Sequence, residues 1–137
     1  MFEQCLYFNT TSLARKLERE WSAAFRPFGL TPPQAFLLRI VVERPGALQS
    51  ELAAAMNISR STATRTLDGL ERLGLIRRDE SENDGRELEI RATASGMEIK
   101  VAVDTASGEV TRRLKRRLGA DVFARTVGDI RALGGAL

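Results

Sequence analysis

The side chains able to do chemistry are few: one thiol, Cys5, a hydroxyl-rich run with two arginines at Ser59–Thr66, and scattered carboxylates. Histidine is absent, and Cys5 has no second cysteine beside it. A structural zinc site takes four Cys or His ligands, so zinc is excluded. Ser-His-Asp and Cys-His catalysis lack their base, and no intramolecular disulfide can form. Carboxylates such as Glu80 and Glu82 stand among like neighbours in a polar stretch, with no apolar pocket to raise a pKa. No glycine-rich phosphate loop occurs. The chain therefore reads as a non-enzyme that needs no metal or cofactor. What remains is the chemistry of hydroxyls and guanidinium groups, which bond phosphates and base edges.

The elements around that run give it a place. Gln49–Met56 carries Leu52, Ala53 and Met56 on one side, which fits a short helix. Asn57-Ile58 makes a tight turn. Ser59 then caps a longer helix with the inner stripe Ala63, Leu67, Leu70 and Leu73. Two helices so joined form a helix-turn-helix, whose second helix enters the DNA major groove by its first turns. The outward residues there are Ser59, Arg60, Ser61, Thr62, Thr64, Arg65 and Asp68. Arg65 or Arg60 suits the O6/N7 pair of guanine, and Ser59, Ser61 and Thr64 suit phosphates or base edges.

Leu75–Arg78 and Leu88–Arg91 read as short strands, with Asp84-Gly85 near the tip of the polar stretch between them. That hairpin, Arg77–Ala92, is a wing. Arg78 joins the DNA-facing set, and Arg86 at the tip suits a narrow minor groove. From Ser59 to Arg91, seven arginines face eight acidic residues. Affinity must therefore come from geometry that points arginines at DNA, not from a uniformly basic patch.

Leu6, Leu13, Leu17, Trp21 and Phe25 mark an amphipathic helix over Phe2–Phe25. Thr31-Pro32-Pro33-Gln34 is a capping-box start for a helix that stops before Pro45. Thr93–Leu118 is the longest helical stretch, with Gly108 as a candidate bend. Gly119-Ala120-Asp121 caps a last helix, Val122–Leu133, and the tail Gly134–Leu137 is expected to fray. The basic run Arg112–Arg117 fits a solvated face near a helix C-terminus.

The 137 residues are 43% apolar and 28% charged with net charge +3, and they show no repeat or linker. No apolar run approaches the ~20 residues of a membrane span. Met1–Cys5 lacks the basic-then-apolar order of a secretory leader, so a cytoplasmic location without membrane contact is expected. The fold class is mostly α with a small β-hairpin wing.

The stretch Ile58-Ser59-Arg60-Ser61-Thr62-Ala63-Thr64-Arg65-Thr66-Leu67, continuing through Leu70-Glu71-Arg72-Leu73-Gly74-Leu75-Ile76-Arg77-Arg78, resembles the MarR (multiple antibiotic resistance regulator) family. Asp84-Gly85-Arg86 and Thr93-x-x-Gly96 match that family's wing and post-wing signatures. Ala92 and Ala94 depart from its larger residues there. The resemblance covers nearly the whole chain. It implies a single domain, 1–137, with a winged helix-turn-helix lobe at 31–92 and dimerisation helices at 1–30 and 93–137. It further implies a homodimer on a pseudo-palindromic operator in double-stranded DNA, repression, and release by a small ligand or by oxidation. Asp84 would hold Arg86 in place.

Two effector routes stay open. Trp21, Phe25 and Phe36 could line a pocket for a small aromatic or phenolic effector, although apolar residues at helical spacing are more often core. One branch of the family senses hydroperoxides with a cysteine near the start of the first helix, where Cys5 lies. A helix N-terminus favours a thiolate. Against it, Glu3 is close, no Lys or Arg precedes Arg15, and Tyr7 is the only tyrosine. The favoured expectation is a small apolar residue in the dimer interface. A winged helix used only for protein contact is the remaining alternative, and it would call for a hydrophobic or acidic recognition face.

Overall fold

The protein is described by a computed structural model covering residues 1–81 and 87–137. Asp84 and Arg86, assigned above to the wing tip, lie outside the described residues. The elements are α1 (Leu6–Phe25), a 3-10 turn (Arg26–Phe28), α2 (Pro32–Glu43), β1 (Ala47–Leu48), α3 (Gln49–Met56), α4 (Arg60–Arg72), β2 (Ile76–Glu80), β3 (Leu88–Ala92), α5 (Ala94–Leu118) and α6 (Ala120–Ala136).

Local chemistry sets most of these boundaries. The Thr31 hydroxyl accepts from Gln34 N while Gln34 Oε1 accepts from Thr31 N, the reciprocal capping box read from the sequence. Leu48 has no acceptor with which to cap α3, and Glu51 Oε1 instead takes the Leu48 N–H at 3.0 Å. Asn57 ends α3 in the left-handed region at φ 54°, a conformation asparagine tolerates better than most residues. Ser59 and Thr93 cap α4 and α5 through their hydroxyls.

The three strands form an antiparallel sheet in the order β1-β3-β2, with Arg78 opposite Ile90 and Ala47 opposite Ile90 on the other side. A core of Phe25, Leu37, Leu38, Val41, Leu52, Leu67, Leu70, Ile90 and Val103 ties α1, α2, α3, α4, β3 and α5 together. Each of those side chains is fully buried. On the ~25 cal/mol per Å² scale, each contributes about 1.5–3 kcal/mol of transfer free energy. Outside this core, α6 has no buried residue, and α1 buries only Phe25. Among the described residues, no helix is long and apolar enough to cross a membrane.

Several expected boundaries are corrected. α1 starts at Leu6 rather than Phe2, because Cys5 caps it. β1 was not anticipated. α5 passes through Gly108 as one helix, and α6 runs to Ala136, so residues 134–136 are helical. Asp121 lies in the first turn of α6 and does not cap it; Gly119 stands at the N-cap without a side-chain bond.

Candidate nucleic-acid interface

α3 packs against α4 across the Asn57 turn, and this holds the start of α4 out to solvent. Ser59, Arg60, Ser61 and Arg65 are exposed, Thr62 and Thr64 half-buried. The first turn is a hydroxyl cluster. Ser59 Oγ accepts from Thr62 N at 3.2 Å, donates to Thr62 Oγ1 at 2.9 Å, and lies 3.2 Å from Ser61 Oγ. Arg65 lies back along the helix, its Nη2 3.4 Å from Thr62 Oγ1. Four backbone N–H groups at a helix start lack helical partners, and the positive end of the helix favours an anion there. The arrangement presents hydroxyls and two guanidinium groups to a phosphate backbone or to base edges.

Thr64 is less free than its sequence position suggests. Its hydroxyl donates to Arg60 O at 2.9 Å and accepts from Gln49 Nε2 at 2.6 Å, tying α4 to the start of α3. Glu87 makes a parallel tie from the base of the wing. Its Oε1 accepts from Ser50 N at 3.2 Å and lies 3.8 Å from Arg60 Nη2. The Arg60 side chain nevertheless remains 77% exposed. Sequence reasoning missed Gln49 and Glu87, since neither stands in a motif.

Arg78 does not stand with the exposed candidates. Its side chain is only 15% exposed and turns away from solvent. Nη2 donates to Asp68 Oδ1 at 2.6 Å and to Thr64 O at 3.5 Å, both on α4. The cause is strand periodicity: Arg78 stands two residues after buried Ile76 and shares its face of the sheet.

Pairing takes up part of the local acidic charge. Asp68 is matched with Arg78, Asp79 with Arg77 at 3.1 Å, and Glu89 with Arg91 at 3.4 Å. Such pairs take acids out of competition with DNA for the exposed Arg60 and Arg65.

The aromatic group divides. Phe25 is fully buried in the core and is not part of the groove lining. Trp21 is half-buried, and its Nε1 donates to Ser107 Oγ at 3.1 Å. Only Phe36, 37% exposed, faces an open groove, with Phe25 edge-on at 6.0 Å and the Arg39 guanidinium 5.1 Å from its ring centroid. That groove, about 530 Å³ between α2 and α5, is also lined by Ile40, Glu43, Arg44, Lys100 and Asp104. Arg39 Nε donates to Asp104 Oδ1 at 2.7 Å, and Lys100 Nζ bridges Glu43 at 2.8 Å and Asp104 at 2.9 Å. The carboxylates of Glu43 and then Asp104 hold the Lys100 ammonium above its ordinary pKa.

Cys5 is exposed, and its sulfur accepts the Phe8 N–H at 3.5 Å as the N-cap of α1. Asn9 Nδ2 bonds the carbonyls of Phe2, Glu3 and Cys5 rather than the sulfur.

Residues 28–87 match the sequence profile of the MarR family. The HTH-type transcriptional repressor Rv2887 of Mycobacterium tuberculosis is 32% identical over 104 residues, 76% of this chain and 75% of that protein. A protein of Thauera aromatica, named as a transcriptional regulatory protein for the hcr operon, is 35% identical over 98 residues. The chain spans only 59% of that relative's length. The structure of M. tuberculosis MosR in complex with DNA superposes with a TM-score of 0.86 at 31% identity, covering 97% of this chain and 96% of that one. Rv2887 in complex with salicylic acid superposes with a TM-score of 0.71 at 27% identity, covering 96% and 97%. Similar over three quarters of a named repressor, and in fold over nearly all of a DNA-bound regulator, the chain belongs to the MarR family of winged helix-turn-helix transcription regulators.

Proposed function

We propose that this DNA-binding transcription regulator is a homodimeric repressor that binds a pseudo-palindromic operator and is released by a small aromatic or phenolic effector. The observation that carries the DNA half is the cap and first two turns of α4, where Ser59, Arg60, Ser61 and Arg65 are exposed to solvent beside the base of the wing. Arg60 and Arg65 supply guanidinium forks for guanine or phosphate, and the hydroxyls supply adaptable bonds to either.

The dimer rests on uncovered apolar surface. Phe2, Leu6, Phe8 and Leu13 at the start of the chain, and Val122, Val127, Ile130 and Leu133 on α6, are all 40% or more exposed. So many exposed apolar side chains on helices that bury little within their own chain call for a protein partner. Two-fold symmetry would place two recognition helices about one DNA turn apart, roughly 34 Å.

The effector rests on the groove beside Phe36. It offers an aromatic edge for a ring, and an anionic or phenolic oxygen there would compete with Asp104 and Glu43 for Arg39 and Lys100. The salicylic acid complex of Rv2887 belongs to a relative of the same fold. The deciding experiment is selection of bound duplexes from a random-sequence pool, followed by a gel shift of the enriched duplex with and without salicylate. Enrichment of an inverted repeat that salicylate releases is expected. No enrichment of any motif would sink the reading.

A further inference from the structure

We propose that Arg78 is a positioning residue for operator reading: it fixes the wing strand β2 to the recognition helix α4 without touching DNA. The inference rests on the regulator reading above and assigns a role within it.

The geometry is specific. The Arg78 side chain runs from β2 along one flank of α4, toward Thr64, Asp68 and Glu71, residues at helical spacings of four and three. One nitrogen, Nη2, serves both the Asp68 carboxylate and the Thr64 carbonyl. The other contact is incomplete. Nε lies 4.0 Å from Glu71 Oε2 and has no hydrogen-bond partner among the described residues.

As a stability device this is a poor choice. Arg78 Nε, buried with no hydrogen-bond partner among the described residues, costs free energy, and a pair whose carboxylate is half open to solvent returns little. What a guanidinium supplies that a leucine cannot is direction: Nη2, shared between the Asp68 carboxylate and the Thr64 carbonyl, ties β2 to two successive turns of α4 and so fixes the rotation of that helix against the sheet. Thr64, at one end of this brace, is also bonded to the carbonyl of Arg60 and stands beside Arg65. The brace therefore ends where the base-reading side chains begin.

Asp68 adds an independent sign. Its side chain is 47% exposed, so a carboxylate stands partly open on the helix that enters the groove. By electrostatics alone, Asp68→Asn should tighten binding to a polyanion. If Asp68 is instead the anchor of the brace, the same change weakens operator binding.

The test uses the full chain and an inverted-repeat duplex that the protein enriches from a random pool, with a scrambled duplex as control. Wild type, Arg78→Gln, Asp68→Asn and the double variant are titrated over a range of salt, each below its own melting onset. For both single variants, operator affinity is expected to fall about tenfold or more, the loss typical of one misread base pair. Scrambled-duplex affinity should hold within about threefold and the salt slope should stay that of wild type, since no phosphate contact is lost. The double variant should lose no more than the weaker single one. Arg78→Lys, which keeps the charge but not the fork, should fall between wild type and Arg78→Gln, and it stands in where Arg78→Gln does not fold.

A salt slope flattened by about 0.9 in Arg78→Gln would show a direct phosphate contact and overturn the proposal. So would tighter operator binding by Asp68→Asn, equal losses on both duplexes, or unchanged operator affinity. If wild type enriches no motif, the regulator reading fails and takes this inference with it; the other outcomes overturn the inference alone.

Discussion

Gly96 and Leu75 approach so closely that a β-carbon on Gly96 would overlap the Leu75 carbonyl oxygen and its carbon. Beside them, Thr93 Oγ1 donates to Gly74 O at 2.7 Å, and Thr93 N donates to Leu75 O at 3.0 Å. The Thr93-x-x-Gly96 pair thus clamps the start of α5 onto the turn that leads from α4 into the wing. This gives the signature a physical cause: threonine supplies the bonds, and glycine supplies the room.

Gly96→Ala should therefore destabilise the fold by about 1–3 kcal/mol or more, as overpacking against rigid backbone does. Thr93→Ala should cost about 1 kcal/mol through the lost cap. Thermal melting of the two variants checks both. An alanine at 96 that melts with wild type would show that the α5–turn contact is not tight.

On the reading face, Arg65→Ala is expected to cost about 1–3 kcal/mol of operator binding and to relax base preference at one position in each half-site. Thr64→Val should behave differently. Its hydroxyl is engaged by Arg60 O and Gln49, so the loss falls on the α3–α4 packing and the selected motif should not change. Selection from a random pool with each variant separates the two. A motif altered by Thr64→Val but not by Arg65→Ala would invert the assignment.

Much of this was legible in the sequence, because the local signals are short-range. The Thr31–Gln34 box, the Ser59 and Thr93 caps and the apolar stripe of α4 all act within four residues. β1 was not legible, since two residues carry no periodicity and Ala47-Leu48 pairs only with a strand about forty positions on. The inward turn of Arg78 is not legible from residue type, which groups it with the exposed arginines. The alternation that puts it with Ile76 was present and outranks type in a paired strand. Phe25 shows the limit from the other side, since it is fully buried in the core. Its spacing marked a buried stripe, and no one-chain pattern separates core from pocket lining.

The apolar face of α6 should govern assembly. Ile130→Glu places a charge on a surface that α6 does not bury within its own chain, so the monomer's core is untouched. Sedimentation should give twice the chain mass for wild type and a smaller species for the variant, with unchanged helix content. A wild-type monomer at micromolar concentration would remove the dimer proposal.

Lys100 links α5 to α2 through Glu43, and its pKa in the folded protein lies above the ordinary 10.5. A raised folded pKa means that the bridge contributes fully below the unfolded value and fades as pH rises through the folded one. The stability difference between wild type and Lys100→Met should therefore be small but constant from about pH 6 to 9, and it should shrink only at pH above about 10.5. Chemical denaturation at several pH values measures it. A difference that vanishes near neutrality would show that the bridge does not hold in solution.

Cys5 is expected to act as a helix cap and not as a switch. Its sulfur takes the Phe8 N–H at the start of α1, a task an oxygen performs with a shorter and stronger bond. Cys5→Ser should therefore leave α1 intact and raise stability by a few tenths to about 1 kcal/mol. A sensing thiol is favoured by neighbours that stabilise its thiolate, and its sulfenic acid is resolved by a second cysteine, by a small thiol or by the partner copy. Here Asn9 spends its amide on backbone carbonyls, and no second cysteine exists in the chain. Phe2 and Phe8, packed 5.2 Å apart between ring centroids, flank Cys5 in sequence on the surface assigned to the dimer. Covered by a second copy, the thiol would be screened from oxidant. The operator complex should thus survive micromolar cumene hydroperoxide equally in wild type and Cys5→Ser. Release of the wild type alone would make Cys5 the sensor and remove the need for an effector beside Phe36.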